Sequence, residues 1–480
     1  MSGRTLRLDD HSFRFLIVGT GLCWALAFLV IALFYQLELY GDGAMFSYAV
    51  AVRDVWAFHW HNISGRTSVF LLTLLPAEAL VGITGNPWAG IIAYGLLFYI
   101  SPLIGLAVTY ATDRSPGRII FVYACGSTAL LCPLIFGFPT EMWLAHAIFW
   151  PALALSHYAK PTSAGAILVF TAWLLLAFTH EGALVLLLVI AATLTPRGLS
   201  SATFVRAAIS LTIIVILAAA VKIALPPDDY YADAFLRAAL HFFDLKIFKV
   251  GLVLVLLTAV IAYGAILMPL SIWLPRGACI FTAGILLGLL SIYWLRFDHS
   301  IHASSRYYLR TALVIATPLL GALAAITAMA RGGIVLNRPT RLRQALISPR
   351  DGTLCAVASI FLLVNLIHAI ETGKFVASWI NYRDAIAALA MSSKSDPVLG
   401  DPRFVSAERI SPTPAPLSWL STIPYLSIIL SNFSPNRLVI DPAGNYFWLS
   451  CGTAMRNKDA ELAVPVQTRE LVQVYSCLHR

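Results

Sequence analysis

Charged side chains are scarce in this chain of 480 residues. They make up 12% of the sequence, whereas hydrophobic residues make up 59% and the mean hydropathy is +0.79. Ordinary soluble domains carry roughly a quarter of their residues as charged side chains. The composition therefore excludes a soluble protein and indicates a polytopic membrane protein.

Several motifs of well-known enzyme classes are missing. The sequence has no Walker loop, no dinucleotide fingerprint, no Cys-x-x-Cys, no Gly-x-Ser-x-Gly and no His-Glu-x-x-His. The net charge of +9 would favour nucleic acid as the partner of a soluble chain. In a membrane protein, positive charge sets the orientation instead, so we expect membrane lipids and no nucleic acid as partners.

Apolar runs predict eleven transmembrane helices, the first of which is expected to be a retained helix and not a cleaved signal peptide. A further apolar stretch at 68–83 is interrupted by Pro76 and Glu78. It is predicted to lie in the membrane interface, with a twelfth span as the alternative. The predicted spans lie at about 15–36, 88–112, 119–136, 143–158, 164–179, 182–195, 205–224, 250–270, 277–295, 309–330 and 353–370.

The basic residues of the connections predict the orientation. Arg4, Arg7 and Arg14 precede the first span, and the connections that share its starting side hold Arg114, Arg118 and the arginines of 331–350. Cytoplasmic connections carry an excess of Lys and Arg, so this side is predicted to be cytoplasmic. If 68–83 were a span, the later arginine-rich connections would fall outside.

The predicted fold class is an all-α polytopic membrane protein with about 11 transmembrane helices, interfacial helices in the first outer loop and a C-terminal mixed α/β domain. Residues 1–370 form the transmembrane domain, and 371–480 form a small outer domain, periplasmic if the membrane is a bacterial inner membrane. Five of the seven cysteines lie in spans. Cys451 and Cys477 lie in the outer domain and form either a disulfide or two free thiols.

Acidic residues recur at the predicted outer face. Asp42 lies between Gly41 and Gly43 just beyond the first span, and Asp54 follows in an aromatic-rich helix. Glu141 lies in the outer connection after 119–136 and could orient a hydroxyl or bind a metal together with Asp42. The alternatives are a solvated turn aspartate for Asp42 and a first-turn helix acid for Glu141.

Donor groups for an anion lie at the same face. His180 and Glu181 form an outer turn that is suited to acid–base chemistry or phosphate contact, with a simple polar turn as the alternative. Arg306 and Arg310 are four residues apart and flank Tyr307. Arginine forks suit a lipid phosphate, whereas snorkelling side chains in a tyrosine belt are the alternative.

This layout resembles the GT-C superfamily of membrane glycosyltransferases, which use polyprenyl-phosphate-linked sugars. The resemblance rests on an acid in the first outer loop (Asp42), an interfacial helix after it (68–83), an arginine-containing inner turn (Arg114 to Arg118) and an acid in a second outer loop (Glu141). It covers roughly the first 200 residues, and the later helices share only the architecture.

The resemblance implies an inverting transfer from a polyprenyl-phosphate sugar donor to a glycan, lipid or protein acceptor. It implies Asp42 as the catalytic base, and phosphate contacts fit Arg306, Arg310 and His180. Asp42 stands alone, where the family has an Asp-Asp or Asp-Glu pair, so a need for Mg or Mn stays open. Two other classes remain: a transporter or flippase of lipid-linked saccharides, and a non-catalytic assembly subunit.

Overall fold

The structure is a computed structural model. It describes residues 9–56, 63–135, 139–198, 200–224, 275–296, 306–333, 347, 351–392, 403–407 and 422–440. The predicted span at 250–270 and the two cysteines at 451 and 477 lie outside the described residues.

The described chain is mostly helical. The helices before residue 136 are α1 (Asp10–Tyr35), α2 (Gly43–Ala51), α3 (Ile63–Val69), α4 (Leu75–Thr84), α5 (Pro87–Tyr99), α6 (Ser101–Thr112) and α7 (Ile119–Leu131). Those after it are α8 (Glu141–Tyr158), α9 (Ser163–Ala177), α10 (Ala183–Leu194), α11 (Ala202–Ala224), α12 (Arg276–Arg296), α13 (Arg306–Arg331), α14 (Asp351–Ala390) and α15 (Ile423–Leu430). Short helical turns at Leu37–Leu39, Phe70–Leu74, Cys132–Ile135 and Thr195–Arg197 connect some of them.

Six helical stretches of the described chain are long and apolar enough to cross a membrane. They are Asp10–Tyr35, Arg66–Thr84, Pro87–Thr112, Ala202–Ala224, Leu313–Arg331 and Asp351–Ala390. A span needs about 20 residues at 1.5 Å per residue. The chain is thus an α-helical protein with several potential membrane helices, as its composition predicts.

Helix α8 runs through the middle of the helical bundle. Almost all of its residues are buried, among them Trp143 and Trp150. Small residues bring other helices together: a Cβ atom on Gly21 of α1 would overlap the backbone of Cys125 on α7. Close backbone contact of this kind is typical of helix pairs in membranes, where apolar burial gives little driving force.

The bundle has two chemically different ends. At one end, which we call the basic end, Arg331 pairs with Asp10 at 3.3 Å, and Arg14 contacts Gly117. The N–H of Arg197 lies 3.4 Å from His157 Nδ1 at the same end. The other end, which holds Glu38, Asp42, Glu141 and His180, is called the acidic end. Residues from several connections that are predicted to share a side therefore lie at one end of the bundle, and the side of the membrane that this end faces stays a prediction.

The helical stretch Arg66–Thr84 contacts different segments at its two ends. The amide of Ser68 donates to the carbonyl of Phe178, two residues before His180, at 3.0 Å. Beyond its other end, Trp88 donates to the side chain of Asn432 at 3.0 Å, and Gly90 contacts Val81. The stretch can cross a membrane by length and composition, so its interfacial placement stays a prediction.

The last long helix differs from its prediction. Helix α14 runs without a break from Asp351 to Ala390, so the predicted domain boundary at 370/371 falls inside it. Beyond it, β1 (Phe404–Ser406) pairs in parallel with β2 (Leu438–Ile440), and α15 lies between them in sequence. The amide of Arg437 donates to the carbonyl of Ala390 at 3.0 Å, which fastens this small α/β unit to the end of α14.

Candidate functional site

The acidic end brings Asp42 close to the loop that carries Glu141. Asp42 immediately precedes α2, and its carbonyl accepts the amides of Met45 and Phe46 at 3.0 and 3.1 Å, while its side chain does not cap the helix. A Cβ atom on Gly43 would overlap the Glu38 carbonyl and lie 2.6 Å from Pro139 Cγ. Only glycine lets these two segments approach so closely.

Glu38 is a site residue that the sequence did not reveal. It lies in the turn between α1 and Asp42 and is 1% exposed. A Cβ atom on Gly95 of α5 would lie 3.1 Å from its Oε2, and that oxygen has no hydrogen-bond partner among the residues that the structure describes. Burial raises the pKa of Glu38 to about 8, although its own backbone N–H and the charge of Arg383 act in the opposite direction.

Tyr94 connects the three carboxyl groups. This buried residue of α5 lies within electrostatic range of Glu38, Asp42 and Glu141 at once. Carboxyl groups from the first loop and from the start of α8 therefore surround one phenol at the acidic end.

Arg66 is the cation of this site, and the sequence did not reveal it either. Its Nη1 donates to Glu141 Oε1 at 2.5 Å, and the two side chains are 13% and 5% exposed. Glu141 is the first residue of α8, where the helix dipole also favours a carboxylate. The ion pair links α3 to α8 and places a positive charge beside the carboxyl groups.

His180 and Glu181 form the turn between α9 and α10. The amide of Gly182 donates to His180 Nδ1 at 3.0 Å, so that nitrogen carries no proton. The 3.8 Å contact between Nδ1 and Glu181 Oε2 is therefore not a charged pair. Because Ser68 donates to Phe178, this turn is tied to the segment that carries Arg66.

Asp54 lies away from Asp42. The nine residues of α2 separate the two, which is roughly 13 Å along a helix. Asp54 is buried and within electrostatic range of Tyr48, and the amide of Val55 donates to Glu78 Oε2 at 2.9 Å. The structure therefore does not place Asp54 beside Asp42, with which the sequence grouped it.

The arginines that are predicted to contact phosphate lie at the start of a helix. Helix α13 begins at Arg306, so Arg306, Tyr307 and Arg310 occupy its first two turns, and the structure describes only their backbone. A Cβ atom on Gly182 would lie 2.8 Å from Val314 Cγ2, about two turns further along α13. The first turns of α13 therefore lie at the acidic end, on the side of His180.

Asp42 and Glu141 are the predicted candidate ligands for Mg or Mn. Within the described part of the chain, no three His, Cys, Asp or Glu side chains gather in a way that could hold a metal ion. Glu141, one of the two acids suggested as ligands, pairs with Arg66 instead. The described residues do not fit a divalent cation, so no chemical step is assigned to one.

Known proteins do not identify the chain: no family model, no curated protein and no solved structure matches it.

Proposed function

We propose that this chain is a membrane glycosyltransferase of the GT-C type. It transfers a sugar from a polyprenyl-phosphate-linked donor to an acceptor hydroxyl of a cell-envelope glycan, lipid or protein. The observation that carries the proposal is the group formed by Asp42, Glu141 and Arg66 at one end of a bundle of apolar helices. A base and a cation at a membrane surface suit a substrate whose tail stays in hydrocarbon.

Asp42 is the proposed base. Its carboxylate accepts the proton of the acceptor hydroxyl while that oxygen attacks the anomeric carbon and the bond from this carbon to the phosphate oxygen breaks. The sugar becomes bonded to the acceptor oxygen with inverted configuration at the anomeric carbon, and the polyprenyl phosphate departs as an anion. Glu141 is held by Arg66 and so is less suited to take a proton.

Cations at the acidic end are proposed to stabilise the leaving phosphate. Arg66 lies beside Glu141, and the first turns of α13 carry Arg306 and Arg310 at the same end. Arginine forks bind phosphate oxygens in two places at once, and a site free of water strengthens the interaction. His180 is proposed to contact the phosphate, and Tyr307 is proposed to flank the donor.

The acidic end is proposed to face the periplasm of a bacterial inner membrane. The N-terminus and the basic end then lie in the cytoplasm, in keeping with the excess of Arg there. The bundle has about eleven spans in this proposal, and Arg66–Thr84 lies in the outer interface. The α/β unit after α14 covers the acidic end, where Tyr425 contacts Tyr48 at 5.3 Å between ring centroids.

A transfer assay tests this function. Purified protein in vesicles receives a radiolabelled polyprenyl-phosphate sugar and a set of hydroxyl-bearing acceptors. The proposal predicts release of polyprenyl phosphate together with a labelled acceptor. A flippase would move the lipid across the bilayer unchanged, and an assembly subunit would leave it where it was added, so either result contradicts the proposal.

A further inference from the structure

A cleft of about 460 Å³, counting the space that is open to the outside, lies at the basic end. It is formed where α8 ends and where α9 and α11 begin, at the opposite end of the bundle from Asp42. Tyr158, the last residue of α8, is within electrostatic range of Asp113 and Arg197, which confirms that this corner belongs to the basic end. The cleft is therefore separate from the candidate site.

The mouth of the cleft is positively charged. Lys160 and Arg206 line it, both are exposed, and the lining residues described by the structure include no Asp or Glu. The beginning of α11 adds the positive end of a helix dipole. An anion at the mouth would thus meet two cations with no neighbouring carboxylate in the lining.

Hydroxyl groups and apolar side chains line the rest. Thr203 and Ser210 of α11 contribute hydroxyls, whereas the hydroxyl of Ser156 is already bonded to the Ala152 carbonyl and to Trp173. Leu155, Val169 and Leu194 form the apolar part. Polar groups at the mouth followed by apolar side chains match a phosphate headgroup followed by hydrocarbon.

The surroundings of the cleft also suit a lipid. On α9, Ile167 and Leu168 are 64% and 56% exposed, and on α11, Val205 and Ile209 are 43% and 55% exposed. These flanking side chains face away from the bundle, where hydrocarbon would cover them in a membrane. An acyl chain can therefore lie along α9 or α11 while its headgroup reaches Lys160 and Arg206.

We propose that this cleft binds the phosphate headgroup of an anionic phospholipid. Basic pockets between membrane helices on the cytoplasmic side are suited to such lipids. Lys160 and Arg206 contact the phosphate, Thr203 and Ser210 donate hydrogen bonds, and the acyl chains lie against the exposed side chains of α9 and α11. The site does not depend on the proposed transferase activity.

Native mass spectrometry of the purified protein tests the site, with phosphatidylglycerol and phosphatidylcholine as the added lipids. Wild type is expected to retain phosphatidylglycerol preferentially. The double variant K160Q/R206Q is expected to bind it at least ten times more weakly, and R206K is expected to keep most of the binding. K222Q, on the far end of α11, is the matched control and is expected to leave binding unchanged.

Three results would overturn the proposal. The first is equal retention of phosphatidylglycerol by wild type and K160Q/R206Q, and the second is equal retention of phosphatidylcholine and phosphatidylglycerol by wild type. The third is complete displacement of the lipid by millimolar inorganic phosphate, which would assign the cleft to a soluble anion. R206K keeps the charge, so its result also separates a lost contact from a misfolded protein.

Discussion

Arg66 and Glu141 form a nearly buried ion pair that joins two segments 75 residues apart in sequence, with 2.5 Å between Nη1 and Oε1. The pair holds α3 against the start of α8. The amide of Ser68, two residues after Arg66, donates to the carbonyl of Phe178, so the same segment is also held against the turn before His180. A single contact thus positions both a charge and a backbone at the acidic end.

Arg66→Ala is expected to lower the melting temperature of the purified protein clearly, because it leaves the Glu141 carboxylate buried without its cation. Breaking such a pair costs about 3–5 kcal/mol in soluble proteins. The double variant Arg66→Met/Glu141→Gln should recover part of that loss, since no charge then stays buried.

The matched control for this change is Asp384, which pairs with Arg383 at 3.2 Å and is 63% exposed. Exposed pairs contribute roughly 0–1 kcal/mol, so Asp384→Ala should change the melting temperature little. Equal losses for Arg66→Ala and Asp384→Ala would contradict the role given to the Arg66 pair.

Gly43→Ala is expected to destabilise the protein and to reduce sugar transfer. The added methyl group would overlap the Glu38 carbonyl and press on Pro139, and overpacking of this kind costs about 1–3 kcal/mol. Gly19→Ala in α1 is the control, because an added Cβ there meets nothing within 4 Å. Wild-type melting temperature and activity for Gly43→Ala would show that the two loops are not in contact.

The raised pKa of Glu38 predicts that its contribution to stability is lost as the pH rises. Its pKa is about 8 in the folded chain against 4.5 for an ordinary glutamate, so the folded state holds the proton more tightly. The contribution to the free energy of unfolding is fully present below about pH 4.5 and is lost as pH rises through 8. The charge of Arg383 on α14 acts on Glu38, and Glu38 in turn acts on Tyr94 and Tyr99 of α5.

Glu38→Gln removes this titration, so its melting temperature should exceed that of wild type at pH 9 and approach it near pH 5. Thermal melts from pH 5 to 9 measure the difference in melting temperature between Glu38→Gln and wild type. The other titrating groups are the same in both proteins, so their effect cancels in this difference. A difference that does not change with pH would contradict the buried, protonated Glu38.

The orientation of Arg66–Thr84 can be tested with cysteine labelling. In a background without the seven native cysteines, Asn86→Cys and Asp384→Cys should react with an impermeant maleimide from the same side of sealed vesicles. Arg114→Cys should react only from the opposite side. Labelling of Asn86→Cys on the side of Arg114→Cys would show that the stretch crosses the membrane.

Most helices could be predicted from the sequence because long apolar runs determine them. The run at 88–112 predicts one span, and the chain has one candidate span there, built from α5 and α6 with Pro102 at the start of α6. The last span is predicted to end at about 370, where the more polar sequence begins. The helix nevertheless continues, since Phe375, Trp379, Tyr382 and Ile386 keep an apolar stripe buried.

The site was predictable only in part. Asp42 and Glu141 can be recognised in the sequence as acids at the ends of apolar runs. Counting the predicted spans between them indicates that they lie at the same end of the bundle. Glu38 has no such signal, since its burial depends on Gly95 and on the distant α14. Arg66 has no local signal either, because its partner is 75 residues away. Contacts between remote segments are set by packing, which one sequence does not display.

Asp42→Asn tests the central proposal most directly. The amide cannot accept the proton of the acceptor, whereas its size matches the carboxyl group, so folding and membrane insertion should be kept. In vesicles with a polyprenyl-phosphate-linked sugar, we expect the variant to lose at least 99% of the transfer rate, roughly the contribution of a general base. Wild-type transfer by correctly inserted Asp42→Asn would contradict the assignment.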